Sequence, residues 1–254
     1  MSEPNPFLSS GASGPSASGP AGAGRAVDAG QGWAWILSGF ELFKKQPGIW
    51  IVIVVVLFVI LIVLSLIPIL GSIAMFLLMP VFTGGMMLGC RSLAREGTLE
   101  INHLFAGFKT QTGSLVVLGA ISIGAWIVVM LPVMAIVGFG AFFGASAGGV
   151  AGAGGIGASF LLAFLIAFAC SIVIYMALWF APALVVLRGA APVDAIKQSF
   201  GACLKNIVPF LIYGVVVLVA SIVATIPFGL GWLVLGPVLA ASVYTAYQDI
   251  FGDA

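Results

Sequence analysis

Residues 46–90 read QPGIWIVIVVVLFVILIVLSLIPILGSIAMFLLMPVFTGGMMLGC and contain no Asp, Glu, Lys or Arg. A membrane-spanning helix needs about 20 apolar residues, so this stretch has room for two helices and a tight turn. Pro68 and Gly71 mark the turn, because both residue types interrupt a regular helix. The sequence therefore predicts a helical hairpin, with helices near residues 48–68 and 71–90.

Two further stretches, residues 110–187 and 206–248, also lack charged side chains. The second divides at Pro227, which predicts helices near 207–227 and 230–248. The first is longer because it includes residues 138–158, which contain nine glycines. We interpret these residues as a flexible apolar linker, or a loop dipping into the membrane, between helices near 113–137 and 159–187. The chain is thus expected to be an all-α integral membrane protein with six transmembrane helices.

Composition agrees with this architecture, because 62% of the 254 residues are hydrophobic and only 7% are charged. Soluble domains contain roughly 25% charged residues. The charges fall in groups that separate the three hairpins, so all groups should lie on one face. The positive-inside rule makes that face cytoplasmic, together with both termini. Anionic lipid headgroups are the expected contacts of the basic groups there, namely Lys44, Lys45, Arg91, Arg95, His103, Lys109, Arg188, Lys197 and Lys205.

Each hairpin is preceded by a segment in which apolar residues recur with helical spacing opposite polar ones. Amphipathic helices of this kind lie in the membrane surface. The sequence therefore predicts three interfacial helices on the cytoplasmic side. Their apolar positions are Trp33, Ile36, Leu37, Phe40 and Phe43, then Ile101, Leu104, Phe105 and Phe108, and finally Val193, Ile196, Phe200, Cys203 and Leu204.

The order of one interfacial helix and one hairpin occurs three times, in units of about 31–97, 98–190 and 191–252. Repeats of one orientation imply a pseudo-symmetry axis along the membrane normal. The second helix of each unit contains a proline, and a proline inside a span frees a backbone carbonyl. Pro80, Pro182 and Pro237 are therefore candidates for kinks around a central cleft. Alternatively they only shape helix packing, since proline is frequent in membrane helices.

Residues 1–30 are rich in Ser, Gly, Pro and Ala and lack the pattern of a signal peptide. With few large apolar side chains, such a segment cannot offset the entropy lost on ordering. We expect a disordered N-terminal tail, followed by one membrane domain over residues 31–252.

Catalytic chemistry has little support in the sequence. The predicted spans contain no charged residue, which argues against an ion- or proton-coupled pump. Cys90, Cys170 and Cys203 show no CxxC spacing and are interpreted as buried, inert thiols. His103 forms an i, i+3 pair with Glu100, which is either a proton-transfer dyad, a headgroup contact or simply a solvated helix face. We expect no cofactor, no metal site and no enzymatic activity.

Several stretches resemble a proteobacterial family of uncharacterised six-spanning inner-membrane proteins. They are GWAWI at 32–36, FELF at 40–43, PVFTGG at 80–85 and HLFAGF at 103–108, and the likeness covers about residues 30–250. More loosely, the chain is similar to membrane domains that accompany glycerophosphodiester phosphodiesterases, although it has no phosphodiesterase catalytic residues. The resemblance implies a multi-pass protein of the bacterial inner membrane and supplies no site residues.

Two functions stay open at this point. One is a non-enzymatic protein that organises lipids, or a membrane protein partner, through its interfacial helices; no nucleic acid is expected as a partner. The other is a passive transporter or channel for a small uncharged or lipid-like molecule, which would pass through the central cleft.

Overall fold

The computed structural model describes residues 24–252, and this part of the chain is helical with no strand. The all-α prediction is confirmed. A 3-10 helix, Ile101–Phe108, lies between the third and fourth α-helices. The α-helices are α1 (Gln31–Lys45), α2 (Pro47–Ser65), α3 (Leu70–Ala94), α4 (Thr112–Ala147), α5 (Gly149–Leu178), α6 (Ala181–Arg188), α7 (Pro192–Lys205), α8 (Ile207–Thr225) and α9 (Trp232–Phe251).

Five helical stretches within residues 24–252 are long and apolar enough to cross a membrane. Four coincide with α2, α3, α4 and α8, and the fifth runs over Gly152–Arg188. The sixth predicted span, α9, does not meet this criterion, because its C-terminal half carries the polar residues Tyr244, Tyr247, Gln248 and Asp249.

The glycine-rich residues 138–158 are helical, so the prediction of a linker or loop there is wrong. α4 continues to Ala147 and α5 begins at Gly149. Gly148 between them has a φ of 65°, in the left-handed region that favours glycine. A Cβ atom at Gly152 would collide with the Gly144 carbonyl oxygen. Gly140, Gly144 and Gly152 therefore permit close approach of the two helices.

The predicted helix over 159–187 is interrupted at Trp179 and Phe180, where α5 ends and α6 begins. Pro182 accounts for the break, because proline cannot donate a helical hydrogen bond and crowds the preceding turn. α7 stabilises the interruption. The Phe180 N–H donates to Ser199 Oγ at 3.0 Å, and the Ser199 hydroxyl donates to the Met176 carbonyl at 2.8 Å.

The second predicted interfacial helix is a 3-10 helix, which corrects the α-helix expected there. Side chains three residues apart eclipse in a 3-10 helix, and its two buried residues, Leu104 and Gly107, have this spacing. Gly107 packs on the Val81 carbonyl of α3, and Gly85 of α3 packs on the His103 carbonyl. A spacing of three fits both helix types, so the apolar pattern alone does not distinguish them.

Large side chains are buried, and helix ends are joined by hydrogen bonds, where the charged segments meet. Lys45 Nζ donates to the Leu93 carbonyl at 3.1 Å, which joins the end of α1 to the end of α3. The Gln46 side chain accepts the Leu99 N–H at 2.8 Å. Trp50, Tyr244 and Tyr247 are among the largest fully buried side chains. Away from this end, α2, α4, α5 and α8 expose large apolar side chains, as helices facing lipid do.

Candidate functional site

Residues 24–28, which belong to the predicted disordered tail, are held between α7 and α9. Arg25 forms an ion pair with Asp249 at 3.1 Å. Asn206, which is fully buried, accepts the Val27 N–H at 2.8 Å and donates to the Arg25 carbonyl at 2.9 Å. Ordered chain therefore begins before α1. The remainder of the predicted tail, residues 1–23, lies outside the described residues.

Lys44, Lys45, Arg188 and Lys205, all predicted headgroup residues, make ion pairs or hydrogen bonds within the protein. Lys44 forms an ion pair with Glu41 at 2.8 Å. Lys45, Lys205 and Arg188 donate to the carbonyls of Leu93, Gly24 and Phe251, respectively. Two of these carbonyls lie in the last turns of α3 and α9, where a cation compensates the negative end of the helix dipole. These side chains therefore stabilise the fold at this end.

Arg91 and Arg95 lie near the C-terminal end of α3. Arg91 is half-buried and close enough to Tyr247 to act on it electrostatically, whereas Arg95 is exposed at the C-cap. Lys109 and Lys197 differ from the other bases. Both are exposed, and neither side chain has a hydrogen bond or ion pair with another residue in the range 24–252. These two ammonium groups are available to an external anion.

His103 caps the 3-10 helix. Its Nδ1 accepts the Glu100 N–H at 3.0 Å, and the Glu100 side chain accepts the His103 N–H in return. This reciprocal pair satisfies two backbone donors at the start of the helix. The Glu100–His103 pair predicted as a possible proton-transfer dyad thus has a structural role, and its contact with a headgroup stays a prediction.

The segments predicted to be interfacial each keep large apolar side chains exposed. Their other faces pack on the protein: α1 does so through Trp35, whose indole N–H donates to Asp249 at 3.0 Å. The exposed residues are Trp33, Leu37 and Phe40 in α1, Ile101, Phe105 and Phe108 in the 3-10 helix, and Val193 and Leu204 in α7.

The three candidate prolines border two adjoining cavities. The first, of about 420 Å³, lies between α3, α4 and the α5–α6 junction and is lined by Pro80 and Pro182. The second, of about 430 Å³, lies between α2, α3, α8 and α9 and is lined by Pro237. Both cavities share Met79, Thr83 and Trp179. The structure thus places these prolines around two cavities that have three lining residues in common.

Trp179 is a candidate site residue that sequence reasoning missed. It occupies the break between α5 and α6 and borders a third cavity, of about 360 Å³, between α5 and α8. Its indole Nε1 is buried and has no hydrogen-bond partner within residues 24–252. The sequence feature that could have identified it is a tryptophan three residues before Pro182, within a span that contains no charged residue.

The three cysteines are free, and Cys90 and Cys203 are buried. Burial raises the pKa of the Cys203 thiol to about 12, so this thiol is protonated and unreactive near neutral pH. Within the described range, no group of three or more His, Cys, Asp or Glu side chains is arranged to hold a metal ion.

Apolar helices exposed along their length, with basic side chains concentrated on the connecting segments, define a multi-pass integral membrane protein. Over 229 residues the chain is 28% identical to a probable inner membrane protein of Burkholderia thailandensis, and the match covers 86% of this chain and 82% of that protein. No family model and no solved structure matches the chain. The predicted localisation, a multi-pass protein of the bacterial inner membrane, is confirmed. The looser resemblance to phosphodiesterase-associated domains gains no support from these comparisons.

Proposed function

We propose that this protein is not an enzyme and that it organises anionic lipids at the cytoplasmic surface of the inner membrane. The observation that carries the proposal is the pairing of exposed apolar groups with free ammonium groups. Lys109 directly follows the exposed Phe108, and Lys197 lies one helical turn after the exposed Val193. An apolar side chain inserted at the acyl boundary places a neighbouring lysine at the level of lipid phosphates.

The proposal includes a six-span topology in which α9 is the sixth span and α2–α3, α4 to α6, and α8–α9 form three hairpins. Both termini then lie in the cytoplasm. Hydrogen bonds between the ends of α1 and α3, and between Arg188 and the end of α9, support a common location for the basic segments. By the positive-inside rule, the basic segments lie on the cytoplasmic side of the membrane.

Cysteine accessibility tests this topology in a variant whose three native cysteines are replaced by alanine. Single cysteines at Ser146, Phe228 and Lys197 report on the α4–α5 turn, the α8–α9 turn and α7. We expect a membrane-impermeant maleimide to label the first two from the periplasm and the third only after the membrane is opened. Protection of Phe228→Cys in intact cells, together with labelling from the cytoplasmic side, would contradict six spans.

Lipid competition tests the lipid-binding function. Protein in nanodiscs with equal amounts of phosphatidylglycerol and phosphatidylcholine should retain phosphatidylglycerol preferentially on extraction, as measured by native mass spectrometry. A well-placed lysine contributes about 1 kcal/mol to anionic-lipid binding, so Lys109→Glu with Lys197→Glu should reduce the preference at least tenfold. The matched control, Lys109→Arg with Lys197→Arg, keeps the charges and should keep the preference. Equal retention of both lipids by the unmodified protein would refute the proposal.

A passive carrier is the second candidate, because Pro80, Pro182 and Pro237 line two cavities that share Met79, Thr83 and Trp179. Prolines beside a cavity allow a helix to bend without exposing backbone groups to lipid. The cargo would be small and uncharged, or lipid-like, since no charged side chain lines either cavity. Fluorescent-lipid or solute flux in reconstituted vesicles tests this candidate, and flux equal to that of protein-free vesicles would exclude it.

A further inference from the structure

The end of α4 extends well past its neighbour α3. Gly84 of α3 packs on Leu115 of α4, and Gly119 of α4 packs on Leu77 of α3, so the two helices run antiparallel. Leu77 lies about 10 Å from the start of α3, whereas Gly119 lies about 42 Å from the end of α4, at 1.5 Å per residue. Measured along its axis, α4 therefore continues about 30 Å beyond the turn between α2 and α3.

Tilting does not bring this extension into the hydrocarbon core. α4 is about 54 Å long, and at a tilt of about 40°, the upper end of the range for membrane helices, it still spans about 41 Å. The hydrocarbon core is about 30 Å thick. Because α4 begins beside the middle of α3, the excess length falls at its other end. The tip of the α4–α5 pair, residues 135–159, therefore reaches out of the core.

This tip exposes a contiguous apolar patch. Phe139, Phe142 and Phe143 are 65%, 69% and 61% exposed. The Phe143 ring centroid lies 6.3 Å from that of Phe139 and 5.4 Å from that of Phe142. Taking about 200 Å² for one phenylalanine side chain, the three rings together expose about 400 Å². An apolar patch of this size outside lipid is typical of an interaction site.

A groove of about 520 Å³ lies beside the patch. Phe139 and Phe143 border it, and small residues of both helices line the remainder, including Gly140, Gly144, Gly155 and Ser159. Bulky rings next to small residues give this surface both projections and a recess. Since residues 110–187 contain no charged side chain, the surface fits an uncharged, apolar partner.

We propose that the tip of the α4–α5 pair is a dimerisation surface, which binds the same surface of a second copy of this chain. Copies inserted in one membrane with one orientation hold their tips at the same height. A two-fold axis along the membrane normal then brings the two patches together. The inference concerns a different surface from the proposed lipid-binding one and does not depend on it.

Charge and area both fit a second copy. The two tips carry no charged side chain, so their contact involves no repulsion between like charges. The phenylalanines of both copies would bury about 800 Å², and the groove-lining residues add to this area. Specific interfaces begin at about 1,200 Å² in total. The exposed rings of each copy have a recess to occupy in the groove of the other.

Counting subunits in bilayers tests the proposal, and bilayers are used because detergent can cover the same apolar patch. Full-length protein with one dye at its C-terminus is reconstituted sparsely in vesicles and followed by single-molecule photobleaching. We expect two bleaching steps from most of the unmodified protein. Predominantly single steps would overturn the proposal.

Gly155→Leu fills the groove without a clash inside one copy. Nothing in the described part of the chain lies within 4 Å of a Cβ atom at Gly155, which lines the groove. We expect the dimer association constant to fall about fivefold or more, the factor that overpacking of a contact produces. Gly157→Leu is the matched control, because its Cβ position is equally open and does not line the groove. An unchanged dimer fraction in Gly155→Leu overturns the proposal.

Cross-linking in native membranes locates the interface. In a variant without native cysteines, Ala147→Cys places a thiol at the groove, and Phe228→Cys places one on the exposed α8–α9 turn. With a flexible, membrane-permeant bis-maleimide, we expect severalfold more cross-linked dimer from Ala147→Cys. Equal dimer yields at the two positions would overturn the proposal. So would an adduct of Ala147→Cys with a different protein, or no adduct at all, since another partner or lipid would then cover the tip.

Discussion

The outer part of the α4–α5 pair and the charged end of the molecule pack in opposite ways. Between α4 and α5, small residues face each other: Gly140 meets Ser159, and Gly144 meets Gly152. Large side chains such as Phe142 point outward and are 69% exposed. At the charged end, Trp50 and Tyr244 point inward and are almost fully buried. Lipid already solvates apolar groups, so helices within it associate through close backbone approach.

The helices of the two regions also differ in length. α4 has 36 residues and α2 has 19, which corresponds to about 54 Å and 28 Å at 1.5 Å per residue. The hydrocarbon core is about 30 Å thick, so α2 matches it and α4 exceeds it. The residues around the α4–α5 turn, 144–158, are mainly Gly, Ala and Ser, which tolerate an environment outside the hydrocarbon.

Gly39→Leu should have the largest effect, because it attacks the packing of α1 on α9. A Cβ atom at Gly39 would lie 2.7 Å from the Val238 carbonyl oxygen and 2.8 Å from Ser242 N, and neither backbone atom can move freely. Overpacking typically costs about 1–3 kcal/mol, and we expect the upper end of this range because both contacts are with backbone atoms. We expect a marked fall in the thermal unfolding temperature of the purified protein. Gly124→Leu is the control, since nothing lies within 4 Å of that Cβ position; equal loss in both variants would contradict the assignment.

Asn206→Ala should come next, because it removes the two hydrogen bonds that join Asn206 to Val27 and Arg25, and leaves, within residues 24–252, only the Lys205 bond to Gly24 between α7 and this segment. Breaking a buried hydrogen bond costs about 1–3 kcal/mol when a partner is left unsatisfied. We expect lower stability and faster tryptic cleavage after Arg25, followed by mass spectrometry. Asn102→Ala alters an exposed amide of the 3-10 helix and should leave the cleavage rate unchanged. A cleavage rate unaffected by Asn206→Ala would show that these contacts do not hold the segment.

Gly144→Leu should act locally at the α4–α5 pair. Its Cβ atom would lie 2.8 Å from the Gly152 carbonyl oxygen, so the two helices must separate near their turn. We expect faster amide hydrogen exchange over residues 138–158, at a cost of about 1–3 kcal/mol, with the charged end still protected. Gly154→Leu has open space at its Cβ position and provides the comparison. Loss of protection throughout the molecule would contradict the independence of the two regions.

Phe142→Ala should have the smallest effect. Since this side chain is mostly exposed and makes few contacts within the protein, we expect a change in unfolding free energy within about 0.5 kcal/mol. The denaturation midpoint in mixed micelles measures it. A loss of 2 kcal/mol or more would indicate a protein contact at this position.

The sequence predicts a helix well where one feature, a long stretch without charged residues, is enough to locate it. Stretches without charge identify α2, α3 and α8 to within a few residues of their observed ends. Residues 138–158 were misinterpreted because glycine serves both flexible linkers and close helix contacts, and only the partner helix distinguishes the two. The order of residues 24–28 depends on Asn206, which lies 179 positions away from Val27. Trp179 escaped notice because its missing acceptor is a property of the folded environment.

A photoactivatable phosphatidylglycerol in native membranes tests the central claim most directly, since it reports where the protein holds anionic lipid. Peptide mapping of the cross-links should find them concentrated in residues 101–109 and 192–205, well above the level given by a phosphatidylcholine probe. The exposed aromatic face of α4 and α5 should show no difference between the two probes. Cross-links spread evenly over both regions, or an equal yield from the two probes, would contradict the account.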